Sequence, residues 1–283
     1  MRIPDDVISK IGRGAATALA LGAIMACGSP AQAQLGSSPD AGTPQSRPSA
    51  VAGYIPRDKL VDSLALLPPP PEEGSAAQIA DDDSRRASIP ARGTARWALA
   101  ARDADYKSPH AVEAFACAIG VAISPEATPH LATLLRKSLV DAGLATYKAK
   151  DRYKRTRPFV VANDKTICSP QDEEMLRKDG SYPSGHAAFG WAWALILAEM
   201  APDKADAILR RGFDFGQERV ICGVHWQSDV NAGRVIGAAV VAQLHTSPEF
   251  MSEFGAARKD IDAARAAGRS APDCTLETQA AVR

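Results

Sequence analysis

Gly180-Ser181-Tyr182-Pro183-Ser184-Gly185-His186 runs directly into Ala187-Ala188-Phe189-Gly190-Trp191-Ala192-Trp193-Ala194-Leu195-Ile196-Leu197-Ala198-Glu199-Met200. The second half of this stretch decides the fold. From Ala187 to Met200 it is almost wholly apolar and holds two tryptophans, which predicts a helix buried on most sides. Val235 to Leu244 reads the same way, and neither run is long enough to cross a bilayer comfortably. Around these two, Leu131, Leu134, Leu135 and Leu139 mark an amphipathic helix, and Val112, Phe115, Ala116 and Ile119 recur at helical spacing behind Pro109. No run of alternating β-branched residues between turn signals competes with them. The expectation is an all-α fold, a single-domain bundle of packed helices, with no internal repeat.

The chain of 283 residues suits one sizeable core. Its 33 Lys and Arg balance 33 Asp and Glu. No global field therefore pulls it towards nucleic acid or an anionic membrane, and any preference for anions must come from a local site. At the start, Arg2, Lys10 and Arg13 precede an apolar run from Ala15 to Ala26 and then Ala31-Gln32-Ala33, a small-x-small pattern. This predicts a signal peptide over 1–33, cut before Gln34, and export to the periplasm. A single membrane anchor fits less well, because the run is shorter than the roughly 20 residues a span requires. Ile24-Met25-Ala26-Cys27 offers an alternative, a lipoprotein box that would leave Cys27 lipidated, although Met25 fits that pattern poorly.

Residues 34–60 read as a flexible leader, because Ser, Pro, Gly and Ala dominate them without hydrophobic periodicity. The folded domain is expected over 61–270. Pro68 to Pro71 forms a stiff spacer within it, and 271–283 is a tail. After cleavage Cys117, Cys168, Cys222 and Cys274 remain. An even count in an exported chain favours disulfides, with three pairings open, and buried thiols at Cys117 and Cys222 are the alternative.

Three clusters carry chemistry. The first is Lys150-x6-Arg157-Pro158. On a helix Lys150, Lys154 and Arg157 project from one face, and Pro158 places the arginine at or near the helix end. A guanidinium and an ammonium suit a phosphate dianion; taken alone, the segment fits a solvated charged face better, with a nucleic-acid patch as a third reading. The second is Pro183-Ser184-Gly185-His186, ahead of the apolar helix. A helix start with a hydroxyl at Ser184 and close backbone approach at Gly185 can hold an anion, and His186 can donate a proton to a leaving oxygen. The third is Arg219-x5-His225-x3-Asp229. Its histidine and carboxylate are four apart, so Asp229 can fix the tautomer of His225 and leave the other ring nitrogen free to attack phosphorus. Jointly they supply a phosphate cradle, a nucleophile and a proton donor, the set that phosphoryl transfer through an enzyme-bound intermediate needs. His110, His130 and His245 lie outside the clusters and read as ordinary residues.

This combination resembles the tripartite signature of the type 2 phosphatidic acid phosphatase superfamily, which includes vanadium haloperoxidases. The phrases Gly-Ser-Tyr-Pro-Ser-Gly-His and Val-Ile-Cys-Gly-Val-His-Trp-Gln-Ser-Asp are similar to class A bacterial non-specific acid phosphatases, over about Leu64 to Leu244. The resemblance implies a helical fold of that kind and hydrolysis of a broad range of phosphate monoesters, without metal or cofactor. It assigns His225 as nucleophile, Asp229 as its orienting partner and His186 as acid then base. Lys150, Arg157, Ser184, Gly185 and Arg219 would bind the phosphoryl oxygens. It also implies small-molecule phosphate esters as partners, phosphotransfer to other alcohols as a side reaction, and a homodimer as the common assembly. Alternatives are a lipid phosphatase of the same superfamily, whose known members carry long apolar spans absent here, and a non-catalytic exported protein binding phosphate or vanadate. One departure stands out: Glu218 occupies the position of the family's serine before Arg219. The expected pH dependence is bell-shaped, with His186 protonated and His225 neutral.

Overall fold

A computed structural model describes residues 51–281 apart from 272. The expected signal peptide, the lipidation alternative at Cys27 and most of the expected leader lie outside the described residues. Among the described residues there are helices and no strands.

The apolar run becomes α9, and naming the α-helices in chain order shows how the others surround it. Ahead of it come α1 (Ser63–Leu66), α2 (Ala76–Ser88), α3 (Ala95–Ala104), α4 (Ala116–Ile119), α5 (Pro129–Ala145), α6 (Tyr147–Tyr153), α7 (Pro158–Val161) and α8 (Glu173–Lys178). Then follow α9 (Gly185–Met200), α10 (Ala205–Ile221), α11 (Gln227–Leu244), α12 (Pro248–Ala266) and α13 (Thr275–Ala281). α9 packs against α5, α10 and α11, α12 covers the outside of α5, and α3 with α13 lies against α10.

The composition of α9 explains its place. Trp193, Ile196 and Leu197 are fully buried, and each such side chain contributes about 1.5–3 kcal/mol. The indole N–H of Trp193 is satisfied by the Leu135 carbonyl at 2.8 Å, so its burial strands no donor. Glycines on α11 set the spacing: a Cβ at Gly233 would strike the Ser184 carbonyl, and one at Gly237 the Ala188 carbonyl. The backbone of α11 therefore lies directly on the start of α9, bringing the second and third clusters together.

Both expected disulfides form, as Cys117–Cys274 and Cys168–Cys222. The first ties the segment before α13 to α4. The second ties the loop before α8 to the end of α10, next to the third cluster. Packing begins earlier than residue 61 and continues past 270. Tyr54 is buried, the N–H groups of Tyr54 and Ile55 donate to Asp141 at 2.8 and 3.1 Å, and α13 packs on α3. The periodic segment behind Pro109 is a 3₁₀-helix over Pro109–Phe115 followed by the single turn of α4, not one α-helix. No helix among the described residues is long and apolar enough to cross a membrane.

Candidate active site

Six of the residues singled out in the sequence line one cavity of about 300 Å³: Lys150, Arg157, Gly185, His186, Arg219 and His225. The rest of its wall is mainly apolar, from Leu139, Val140 and Leu144 of α5, Met175 and Leu176 of α8, and Tyr106 and Phe189. A larger neighbouring cavity, about 610 Å³, shares Tyr106 and Phe189 but contains no residue of the three clusters.

The loop after α10 aims the histidine. Gly223, at φ 78°, adopts the left-handed conformation that glycine accepts without strain, and the chain reverses so that the N–H groups of Val224 and His225 both donate to the Arg219 carbonyl at 3.2 Å. His225 thus stands ahead of α11 instead of on it, while Asp229 is in the first turn. The carboxylate reaches back: Oδ2 accepts from the Trp226 N–H at 2.8 Å, from the Ser181 hydroxyl, and from Nδ1 of His225 at 3.3 Å. With Nδ1–H engaged there, Nε2 keeps its lone pair, 3.1 Å from Nη1 of Arg157 at the cavity. Burial, then the Arg157 charge, pulls the His225 pKa down to about 3 against the opposing pull of Asp229, so the ring is neutral at working pH. Burial would raise Asp229, but the His225 bond, Arg155 and Ser181 outweigh it and hold the carboxyl at about 2.

Arg155, between Lys150 and Arg157 in the first cluster, has a structural role, and its side chain is only 8% exposed. It donates to Asp229 Oδ1 and Ser228 Oγ at 2.7 Å, and to Gln78 and Asp81 of α2 at 2.7 and 2.8 Å. The expected stripe of Lys150, Lys154 and Arg157 does not form. α6 ends at Tyr153 because Lys154 is left-handed at φ 43°, and its side chain is exposed. Lys150 stays on the last turn of α6, whereas Arg157 caps α7 in extended backbone, as Pro158 requires. The two cations converge from separate elements on Asp179, a residue the motifs did not indicate.

Lys150 is buried, and burial followed by the Arg157 charge lowers its pKa to about 8 in spite of Asp179. Arg219 is also buried, and burial and Arg157 bring it to about 10. Its Nε and Nη1 have no partner among the described residues. Unpaired buried guanidinium N–H groups are costly, and donors left open at a cavity wall are what an oxyanion would satisfy. His186, in the first turn of α9, stacks on Phe215 at 4.4 Å and meets Phe189 edge-on, with Nε2 unpartnered. Burial, then Arg219 and His225, holds its pKa well below 6.5.

Ser184 and Asp229 are not in the cavity wall. Ser184 caps α9 by accepting the Ala187 N–H at 3.2 Å, and its own N–H donates to the Asp229 carbonyl at 3.0 Å. Glu218 points away from the cavity, with Oε1 3.1 Å from Arg211 and 3.6 Å from Arg96. No group of three or more metal-ligating side chains occurs among the described residues.

Residues 126–250, which span all three clusters, match the family described as the PAP2 superfamily. The non-specific acid phosphatase of Providencia stuartii is 45% identical over 209 residues, covering 74% of this chain and 84% of that protein. The non-specific acid phosphatase of Salmonella typhimurium is 46% identical over 172 residues, covering 60% and 68%, respectively. The acid phosphatase of Zymomonas mobilis is 42% identical over 191 residues, covering 67% and 72%.

Proposed function

Because the chain belongs to the PAP2 superfamily and, within it, to the bacterial non-specific acid phosphatases, we propose that it hydrolyses phosphate monoesters at acidic pH through a phosphohistidine on His225. The observation that carries this reading is the disposition of one neutral imidazole: Nδ1 held by Asp229, Nε2 presented beside Arg157 in a cavity lined by two further cations.

In the first step the Nε2 lone pair forms a bond to phosphorus as the P–O bond to the leaving group breaks. The leaving oxygen takes a proton from His186. In the second, His186 removes a proton from water, the water oxygen attacks phosphorus, and the N–P bond returns its electrons to His225. Lys150, Arg157 and Arg219 bind the phosphoryl oxygens, and so neutralise charge that builds in the transition state. Ser184 acts by fixing the start of α9 and Gly185, and its hydroxyl proton remains free to donate. In the open cavity His186 is neutral. Bound phosphoryl oxygens offset the Arg219 charge that helps depress it, so the acid forms with substrate in place. Rate therefore falls as pH rises through the value of His186 in the complex, and the working range is acidic.

The apolar wall around the leaving group offers few directional polar contacts, which suits a broad range of esters and admits other alcohols as phosphoryl acceptors. Export to the periplasm, with cleavage after Ala33, belongs to the same reading, and the two disulfides suit an oxidising compartment.

The test is hydrolysis of an aryl phosphate in chelator from pH 4 to 8, with the labelled enzyme trapped by quenching in alkaline detergent. Wild type is expected to turn over and to carry acid-labile phosphate, and His225→Ala to lose at least about 10⁴-fold in kcat and all label. Turnover that survives in His225→Ala would sink the phosphohistidine.

A further inference from the structure

Asp179 lines the phosphate cavity yet belongs to none of the three clusters. Its Oδ2 is shared between Lys150 Nζ at 2.9 Å and Arg157 Nη2 at 2.8 Å, and its backbone carbonyl accepts Arg157 Nε at 3.1 Å. Among the described residues Oδ1 takes no hydrogen bond, and the side chain is 24% exposed in a residue that lines the cavity, which leaves this second oxygen available to a ligand. An ionised carboxylate can only accept hydrogen bonds. A doubly charged anion brought up to Lys150 and Arg157 therefore meets a negative oxygen to which it can offer nothing. A monoanion still carrying one P–OH has a proton to donate there.

We propose that Asp179 makes the cavity select the singly charged form of a phosphate monoester: Oδ2 keeps Lys150 and Arg157 in place while Oδ1 accepts the hydrogen bond of the substrate's P–OH. This deepens the phosphatase reading and rests on it for the nature of the ligand. The groups around Asp179 agree. Tyr147 and Lys150 face it from α6, Arg157 from the start of α7 and His225 from the loop before α11, with Asp172, His186 and Arg219 elsewhere on the wall. Burial would raise the carboxyl, but Lys150 and then Arg157 hold it below its ordinary value, so it is ionised at pH 5. Lys150 stays cationic there, and both histidines are neutral in the open cavity. A phosphomonoester loses its second proton near pH 6. Part of the acidic preference then comes from the ligand's ionisation and not from the protein's.

Sulfate is the discriminating probe, because it matches phosphate in shape and keeps two charges and no proton at pH 5. Calorimetric titration of the purified wild type at pH 5 is expected to show inorganic phosphate binding at least about tenfold tighter than sulfate, the scale of one unfavourable charge contact in a part-solvated site. In Asp179→Asn, whose amide can donate, sulfate should gain about tenfold and the gap should close. Asp179→Glu should keep it. A folded Asp179→Asn with sulfate affinity unchanged overturns the assignment and leaves the phosphatase reading standing. Wild-type phosphate binding and discrimination without turnover does the reverse. Should Asp179→Asn not fold, equal affinities for phosphate and sulfate in the wild type overturn the assignment by themselves.

Discussion

Two carboxylates flank the site, and neither exposes any surface: Asp229, behind His225, and Glu218, beside Arg219. Burial acts on both in the same direction, yet Asp229 lies at about 2 and Glu218 is pushed above its ordinary value. The difference is in the donors. Asp229 has both oxygens engaged, by Arg155 at 2.7 Å, the Trp226 N–H at 2.8 Å, the Ser181 hydroxyl and His225. Glu218 has one oxygen near Arg211 and Arg96 at 3.1 and 3.6 Å, and its Oε2 has no partner. An arginine close by does not fix a buried charge, whereas directed hydrogen bonds to every lone pair do. Asp229 is thus a permanent anion suited to holding an imidazole. Glu218, near the end of α10, fills a buried ion cluster with Arg211 and Arg96.

The largest effect should separate them by turnover. Asp229→Asn keeps the shape but offers Nδ1 of His225 a donor where it needs an acceptor, which favours the wrong tautomer; kcat on an aryl phosphate is expected to fall about 10³- to 10⁴-fold. Glu218→Gln should stay within about threefold, because the side chain touches no cavity group. Equal losses in the two variants would show that Glu218 belongs to the reacting machinery after all.

Next come the arginines that serve each carboxylate. Arg155→Ala strips a donor from Asp229 and leaves Asp81 buried beside Ser228 alone, so about 3–5 kcal/mol of stability should be lost in urea titration, with a large drop in kcat. Arg211→Ala leaves Asp103 with Arg102 at 2.8 Å and Glu218 with Arg96, and Glu218 can take up a proton. It is expected to cost less stability than Arg155→Ala and to leave kcat within several-fold.

What the sequence disclosed and what it hid follow the same division. The apolar composition from Ala187 to Met200 was enough to foresee a central buried helix, and spacing was enough to list Lys150, Arg157, His186, Arg219, His225 and Asp229, because each motif is local. Position relative to helices was less legible. The i, i+4 reading of Lys150 and Lys154 failed at a left-handed residue, and His225 precedes its helix where the spacing suggested a shared face. Asp179 and Arg155 were hidden because their importance comes from contacts across the fold, to α6 and α2, that no neighbouring residue announces. The orientation of Glu218 was equally hidden, since only the packing of α10 shows which way each side chain turns.

Glu218→Ser, which introduces the residue the family resemblance expects, sharpens the comparison further. It removes a buried charge but leaves Arg211 and Arg96 short of an acceptor, so a loss of about 1–3 kcal/mol is expected in thermal or urea melts with turnover retained. A marked gain in activity would mean instead that Glu218 weakens Arg219 as an oxyanion ligand.

The smallest effect is a difference of sign with pH. Asp229 has a folded value of about 2, below its unfolded one, so its charge adds stability that is present above about pH 4 and is lost as pH falls towards 2. Relative to wild type, Asp229→Asn should therefore lose about 2 kcal/mol as pH rises through that window. Glu218 is raised, so its contribution is intact below the unfolded carboxyl value and is lost as pH rises towards the folded one. Glu218→Gln stays neutral throughout and should gain stability relative to wild type from about pH 4.5 upwards, where the unfolded glutamate ionises. Urea midpoints of the two variants and wild type, taken from pH 2 to 8, should give difference curves of opposite slope. Parallel curves would mean that the two carboxylates titrate alike, and that the hydrogen bonds counted on Asp229 do not set its charge.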